Sequence, residues 1–184
     1  VDRLIGEDGA MIDPTDALDL QAIRVLDLCR ARSLTISTAE SCTGGLVAGA
    51  LTDIAGSSDV LDRGFVTYSN QAKVEVLGVS PSTLSIHGAV SEETAREMVR
   101  GLLRAARTSL GVSITGIAGP GGGSAAKPVG LVHFAAGTAD GKIIARREVF
   151  ADQDRAGVRR LSVLTALAML AELAAQEPLA PSGP

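Results

Sequence analysis

Short β-branched runs alternate with helical stretches through the first two thirds of this chain, and that alternation leaves few architectures open. Thr15 to Arg32 places Leu18, Ala22, Val25, Leu26 and Cys29 on one helical face, with Asp13 as a cap and Pro14 in the first turn. Leu34–Glu40 (LTISTAE) reads as a strand that runs into SCTGG and a Gly/Ala-rich helix over Leu46–Ile54. Gly64–Tyr68 predicts a second strand, followed by a helix over Asn70–Leu77. Ser91 caps a further helix whose buried stripe is Ala95, Met98, Val99, Leu102, Leu103 and Ala106. Arg96, Arg100, Arg104 and Arg107 fall on its opposite, solvated face. Val112–Gly119 continues the strands, and VGLVHFAAG and KIIARREVF form a hairpin turned at Asp140–Gly141. A last helix, from Gln153 to Ala175, shows an apolar face of Val158, Leu161, Leu164, Ala168 and Ala171. The expectation is one α/β domain over residues 15–176, its mostly parallel sheet made mixed by the hairpin, with helices on both faces. A flexible arm (1–14) precedes it and a disordered tail (177–184) follows.

Composition removes several function classes. A net charge of −4 and aromatics at 2% argue against a nucleic-acid binder, which would need a basic surface or stacking rings. Two cysteines and two histidines offer no metal-ligand spacing, so neither a metal nor another cofactor is expected. No apolar run reaches the ~18 residues of a membrane span. With an acidic start unlike a signal peptide, the expected setting is cytoplasmic. Lysine is scarce: Lys73, Lys127 and Lys142 stand against fourteen arginines, so each lysine draws notice.

Ligands of parallel α/β sheets bind beyond the carboxyl ends of the strands. SCTGG places Ser41 at such an end, before a helix whose free N–H groups at Thr43, Gly44 and Gly45 suit an oxyanion. Cys42 is a rival nucleophile that sequence alone does not separate from Ser41. TYSNQAK brings Tyr68 and Lys73 toward the same cleft if its strand lies beside the first. His87 and His133 have no obvious acidic orienter, so a serine here would need another base. A desolvated Lys73 can supply it, with Tyr68 donating a hydrogen bond or relaying a proton. The GIAGPGGGS loop is dense in N–H donors; it fails the Walker pattern at Lys127-Pro128 and opens no helix, which argues against a dinucleotide fold.

The strings TAESCTGGLVAGALTDIAGSS, VTYSNQAKVEVLGV, HGAVSEETA and SITGIAGPGGGSAAKPVG closely resemble the C-terminal domain of the CinA (competence-damage-inducible) family, over about residues 15–175. Stand-alone members are nicotinamide mononucleotide (NMN) deamidases of the PncC type. The resemblance implies a three-layer α/β/α domain that hydrolyses the amide of NMN to nicotinic acid mononucleotide and ammonia. It implies Ser41 as nucleophile, Tyr68 and Lys73 as its activating partners, and Thr115 as a site residue. The family's F-x-G-D-R string appears as Phe150-Ala151-Asp152-Gln153-Asp154-Arg155, with Gln153 where glycine is usual. Gly121, Gly122 and Arg155 are the candidates for the substrate phosphate. Self-associating relatives and the Gly/Ala-rich helix make a homo-oligomer the expectation. The competing reading is a catalytically silent interaction module, or an amidase of another substrate. Retention of Ser41, Tyr68 and Lys73 favours the enzyme.

Overall fold

A computed structural model describes residues 14–180. In chain order the elements are α1 (Pro14–Arg30), β1 (Ile36–Glu40), α2 (Leu46–Thr52), β2 (Leu61–Val66), α3 (Asn70–Leu77), α4 (Pro81–His87), α5 (Glu92–Ala106), β3 (Leu110–Gly116), β4 (Leu131–Thr138), β5 (Ile143–Val149) and α6 (Arg155–Gln176). The strands form one sheet in the order β2-β1-β3-β4-β5. β1 pairs in parallel with β2 and β3, and the β3–β4 and β4–β5 pairs are antiparallel, so four of the five strands point the same way. α1, α2 and α6 cover one face and α3, α4 and α5 the other, giving the three expected layers.

The local causes are visible at each element. Ser91 caps α5 by accepting from Thr94 N–H, and of the expected stripe only Leu103 is half-buried rather than buried. Asp154 caps α6, accepting from Gly157 N–H. On α6 the expected stripe is displaced: Val158 and Ala171 are buried, but Leu161, Leu164 and Ala168 are only half-buried. The reason is that α6 lies between the sheet and α1, so it buries a wider arc that includes Leu167, Leu170 and Leu173. α4 has no counterpart in the sequence-based expectation; none of its residues is buried, so it shows no apolar stripe. Strand boundaries also shift, β1 starting at Ile36 rather than Leu34, β2 running over Leu61–Val66 rather than Gly64–Tyr68, and β3 over Leu110–Gly116 rather than Val112–Gly119.

Residues 177–180 lie against the end of α1, where Arg32 Nε donates to Glu177 O and Ala180 N–H donates to Ala31 O. Pro14 already belongs to α1; the rest of the expected N-terminal arm, the Asp13 cap and the last four residues of the expected tail fall outside the described residues. Among the described residues no helix is long and apolar enough to cross a membrane.

Strand alternation in β1 decides which layer each of its side chains enters. Ile36, Thr38 and Glu40 face α2, whereas Ala39 packs with Leu77 and Met98 on the α3–α5 side. Ser41, next in the alternation, therefore emerges on the α3 side. The chain leaves β1 toward β2 on one flank and returns to β3 on the other, so the sheet diverges at the carboxyl end of β1.

Candidate active site

The ends of the three parallel strands are held level. Thr67 N–H donates to Glu40 O (2.8 Å) and Ser41 N–H to Ile114 O (3.0 Å), aligning Ser41, Thr67 and Thr115 in one row. Above them lies a cavity of about 280 Å³, walled by Ser41 and Cys42, by Tyr68 and Lys73, by Ala89 and Val90 before α5, and by the Gly116–Gly122 loop with Arg155. A larger hollow of about 520 Å³ opens at the opposite end of the sheet, beside Arg100, Arg104 and Arg107. It contains no nucleophile, and its two threonine hydroxyls are already bonded, Thr108 to Ser37 and Leu110 O and Thr138 to Asp140. The smaller cavity, which gathers Ser41, Cys42 and Lys73, is the candidate site.

Ser69 caps α3 by accepting from Ala72 N–H, and this turns Lys73 inward one residue later. Lys73 is 1% exposed, one of the largest fully buried side chains among the described residues. Its Nζ lies 3.0 Å from Ser41 Oγ, 2.8 Å from Thr67 O and 3.4 Å from Tyr68 O. Among the described residues no carboxylate pairs with it. Burial therefore pushes its pKa below the ordinary 10.5, against a small opposing effect of Cys42. A neutral amine in this position has two N–H bonds for the two carbonyls and a lone pair left for the serine hydroxyl.

Cys42 lines the same cavity, but burial raises its thiol to about 11. At neutral pH it is a protonated thiol, a poor nucleophile. Ser41, unlike Cys42, has the Lys73 amine within hydrogen-bond distance, so between the two residues the geometry favours Ser41 as the candidate nucleophile.

Two expectations need correction. The N–H groups of Gly44 and Gly45 do not face the cavity, because other groups consume them. Gly44 N–H donates to Ser41 O (3.0 Å). Glu40, fully buried, takes Gly45 and Val47 N–H on Oε2 (2.9 and 3.1 Å) and Ala48 N–H on Oε1 (2.9 Å). The start of α2 is thus occupied by the protein's own carboxylate. The N–H groups of Cys42 and Thr43 lie beside the Cys42 thiol; Cys42 lines the cavity, whereas Thr43 is buried and does not. Tyr68, secondly, is not interposed between Ser41 and Lys73. It is 61% exposed, its hydroxyl accepts from Arg155 Nη2 (3.2 Å), and only its backbone carbonyl reaches Lys73.

The other expected residues gather at the cavity. Thr115 is buried and donates to Ala89 O (2.7 Å), fixing the turn before α5. Arg155, at the first position of α6, donates to Gly119 O (2.8 Å), so it ties the Gly121–Gly122 loop to Tyr68 despite Gln153 in place of glycine. His87 is outside the cavity; its ring meets Glu93 at 3.4 Å and its carbonyl accepts from Lys127. Sequence reasoning missed Glu40. The available signal was a carboxylate in a strand otherwise free of charge, directly before the turn that carries two glycines.

Comparison with known proteins identifies the family and the fold. A family model described as the CinA C-terminal domain matches residues 19–174. The chain is 57% identical over 141 residues to the nicotinamide-nucleotide amidohydrolase PncC of Escherichia coli (strain K12), covering 77% of this chain and 85% of that protein. It is 46% identical over 162 residues to a putative competence-damage inducible protein of Caldanaerobacter subterraneus, covering 88% of this chain but 39% of that longer protein. Among solved structures, the competence/damage inducible protein CihA from Agrobacterium tumefaciens superposes with a TM-score of 0.84 at 51% identity, covering 85% of this chain and 95% of that one.

Proposed function

The chain belongs to the CinA C-terminal domain family, and from that premise we propose that it is a nicotinamide-nucleotide amidohydrolase acting through Ser41 and Lys73. The observation that carries the mechanism is the buried Lys73 Nζ, 3.0 Å from Ser41 Oγ and without a carboxylate partner. Neutral Lys73 takes the hydroxyl proton as Oγ attacks the carboxamide carbon of NMN. The oxyanion is held at the head of the turn beside Cys42, which lines the cavity and whose N–H has no backbone oxygen acceptor among the described residues, since the N–H groups of Gly44 and Gly45 are occupied. Lys73, now an ammonium, gives its proton to the amide nitrogen as the C–N bond breaks, and ammonia departs. Water then attacks the acyl carbon as it gives a proton to the same amine, the acyl–Oγ bond breaks, Ser41 Oγ takes that proton back, and nicotinic acid mononucleotide leaves.

Tyr68 has a different part from a proton relay. An exposed ring at the cavity rim suits the cationic pyridinium of NMN, which an aromatic face attracts. Arg155 and the N–H groups of Gly121 and Gly122 supply donors for the phosphate.

The test is ammonia release from NMN, nicotinamide, nicotinamide riboside and glutamine run in parallel. NMN is expected to be the preferred substrate. Ser41→Ala is expected to abolish turnover and Cys42→Ala to retain it within a few-fold. Undiminished ammonia release by Ser41→Ala would refute the nucleophile, and silence of the unmodified protein toward all four amides would favour the interaction module.

A further inference from the structure

The cavity has two walls that belong to distant parts of the chain, and one side chain joins them. One wall is Ala89–Val90, in the turn between α4 and α5; the other is the glycine-rich loop after β3, with Gly119, Gly121 and Gly122. Lys127, at the far end of that loop, sends its Nζ across the gap to His87 O (2.6 Å) and Val90 O (2.7 Å). The approach is close enough that a Cβ on Gly88 would sit 3.1 Å from the amine. The base of the lysine is itself braced: Ser124 N–H donates to Lys127 O (2.8 Å), and Lys127 N–H donates to Ser124 Oγ (3.1 Å). No carboxylate among the described residues shares the amine, so its charge is spent on the two carbonyls.

We infer that Lys127 is a positioning residue that clasps the glycine-rich loop against the turn before α5 and so pre-forms the substrate-binding wall. This rests on the proposed amidohydrolase reading and names a residue that reading does not use. The loop has two cationic ties, Arg155 to Gly119 O at its start and Lys127 at its end. Four glycines lie within Gly119–Gly123, so a loose loop has much conformational freedom to lose when a ligand orders it. Lys127 reaches neither Ser41 nor Lys73, and the loop contacts the nucleotide in the ground state and the transition state alike. Its loss therefore weakens binding more than it slows the chemical step.

Steady-state kinetics on NMN with Lys127→Met and Lys127→Arg test the clasp, together with amide hydrogen exchange over residues 117–130 without substrate. Lys127→Met is expected to raise KM about tenfold, the scale of losing charge-assisted bonds, with kcat within about threefold of the unmodified protein. Faster exchange across the loop is expected in the same variant, and Lys127→Arg should recover part of the affinity and the protection. A KM within about twofold of the unmodified protein, or a fall in kcat with KM unchanged, would overturn the inference. If the unmodified protein does not hydrolyse NMN, the functional reading fails by itself. The exchange comparison then decides the clasp, and equal loop protection in Lys127→Met would sink it.

Discussion

Replacing Glu40 probes directly how the nucleophile's turn is held. Its two carboxylate oxygens accept three N–H groups at the start of α2 and the Thr38 hydroxyl; the bonds from Val47 and Thr38 are buried and those from Gly45 and Ala48 part-buried. In Glu40→Gln the amide oxygen can occupy the Oε2 position and keep Gly45 and Val47, while the new NH2 group faces Ala48 N–H, donor against donor. One part-buried N–H is orphaned and the remaining bonds lose charge assistance, a cost of about 2 kcal/mol. Glu40→Ala orphans all three and costs about 4–5 kcal/mol, a large part of the ~5–15 kcal/mol that holds an ordinary domain. For a domain of this size the expected fall in Tm is roughly 4–8 °C for the glutamine and about twice that for the alanine. Thermal melts followed by circular dichroism measure both. If both variants melt within about 2 °C of the unmodified protein, the carboxylate is not the cap of α2, and Gly45 N–H returns as a candidate oxyanion donor.

Because burial lowers the Lys73 pKa, kcat/KM should rise with pH to a plateau whose midpoint lies below 10.5, and Lys73→Met should lack that limb. In stability the sign is fixed: between the lowered folded pKa and 10.5 the unfolded chain binds more protons, so the unmodified protein gains stability relative to Lys73→Met as pH rises through that interval, and the difference is flat below it. Urea titrations of the two proteins at several pH values would contradict this if the difference ran the other way. A Cβ on Gly101 would stand 1.8 Å from Leu77 O, so Gly101→Ala should force α5 away from α3 and cost about 3 kcal/mol, whereas Gly49→Ala meets open space and should be neutral or stabilising; melts of the pair decide it.

The parts of the fold legible in the sequence are those with strong local chemistry. The β4–β5 hairpin is announced by Asp140–Gly141, α5 by its Ser91 cap and apolar period, and α3 by bounds that sequence and structure share. α4 escaped because its signal is terminal rather than periodic, Ser80 as cap and Pro81 in the first turn with no buried face behind them. At the site, the partnership of Ser41 and Lys73 could be anticipated because both follow strand ends that a parallel sheet sets side by side. The places of Gly45 and Tyr68 could not. One depends on where a neighbouring carboxylate turns, the other on an arginine 87 residues further along the chain, and neither distance is written in local pattern.

Ser41 and Lys73 hang from strands of unequal shelter. β1 is buried along its whole length, while β2, which leads into α3, is the sheet's outer margin and mostly open to solvent. Margins open more readily than interiors. The Ser41 hydroxyl thus follows a fully buried strand and Lys73 an open one, so under the proposed mechanism peeling β2 away would disarm the protein while leaving most of its architecture standing.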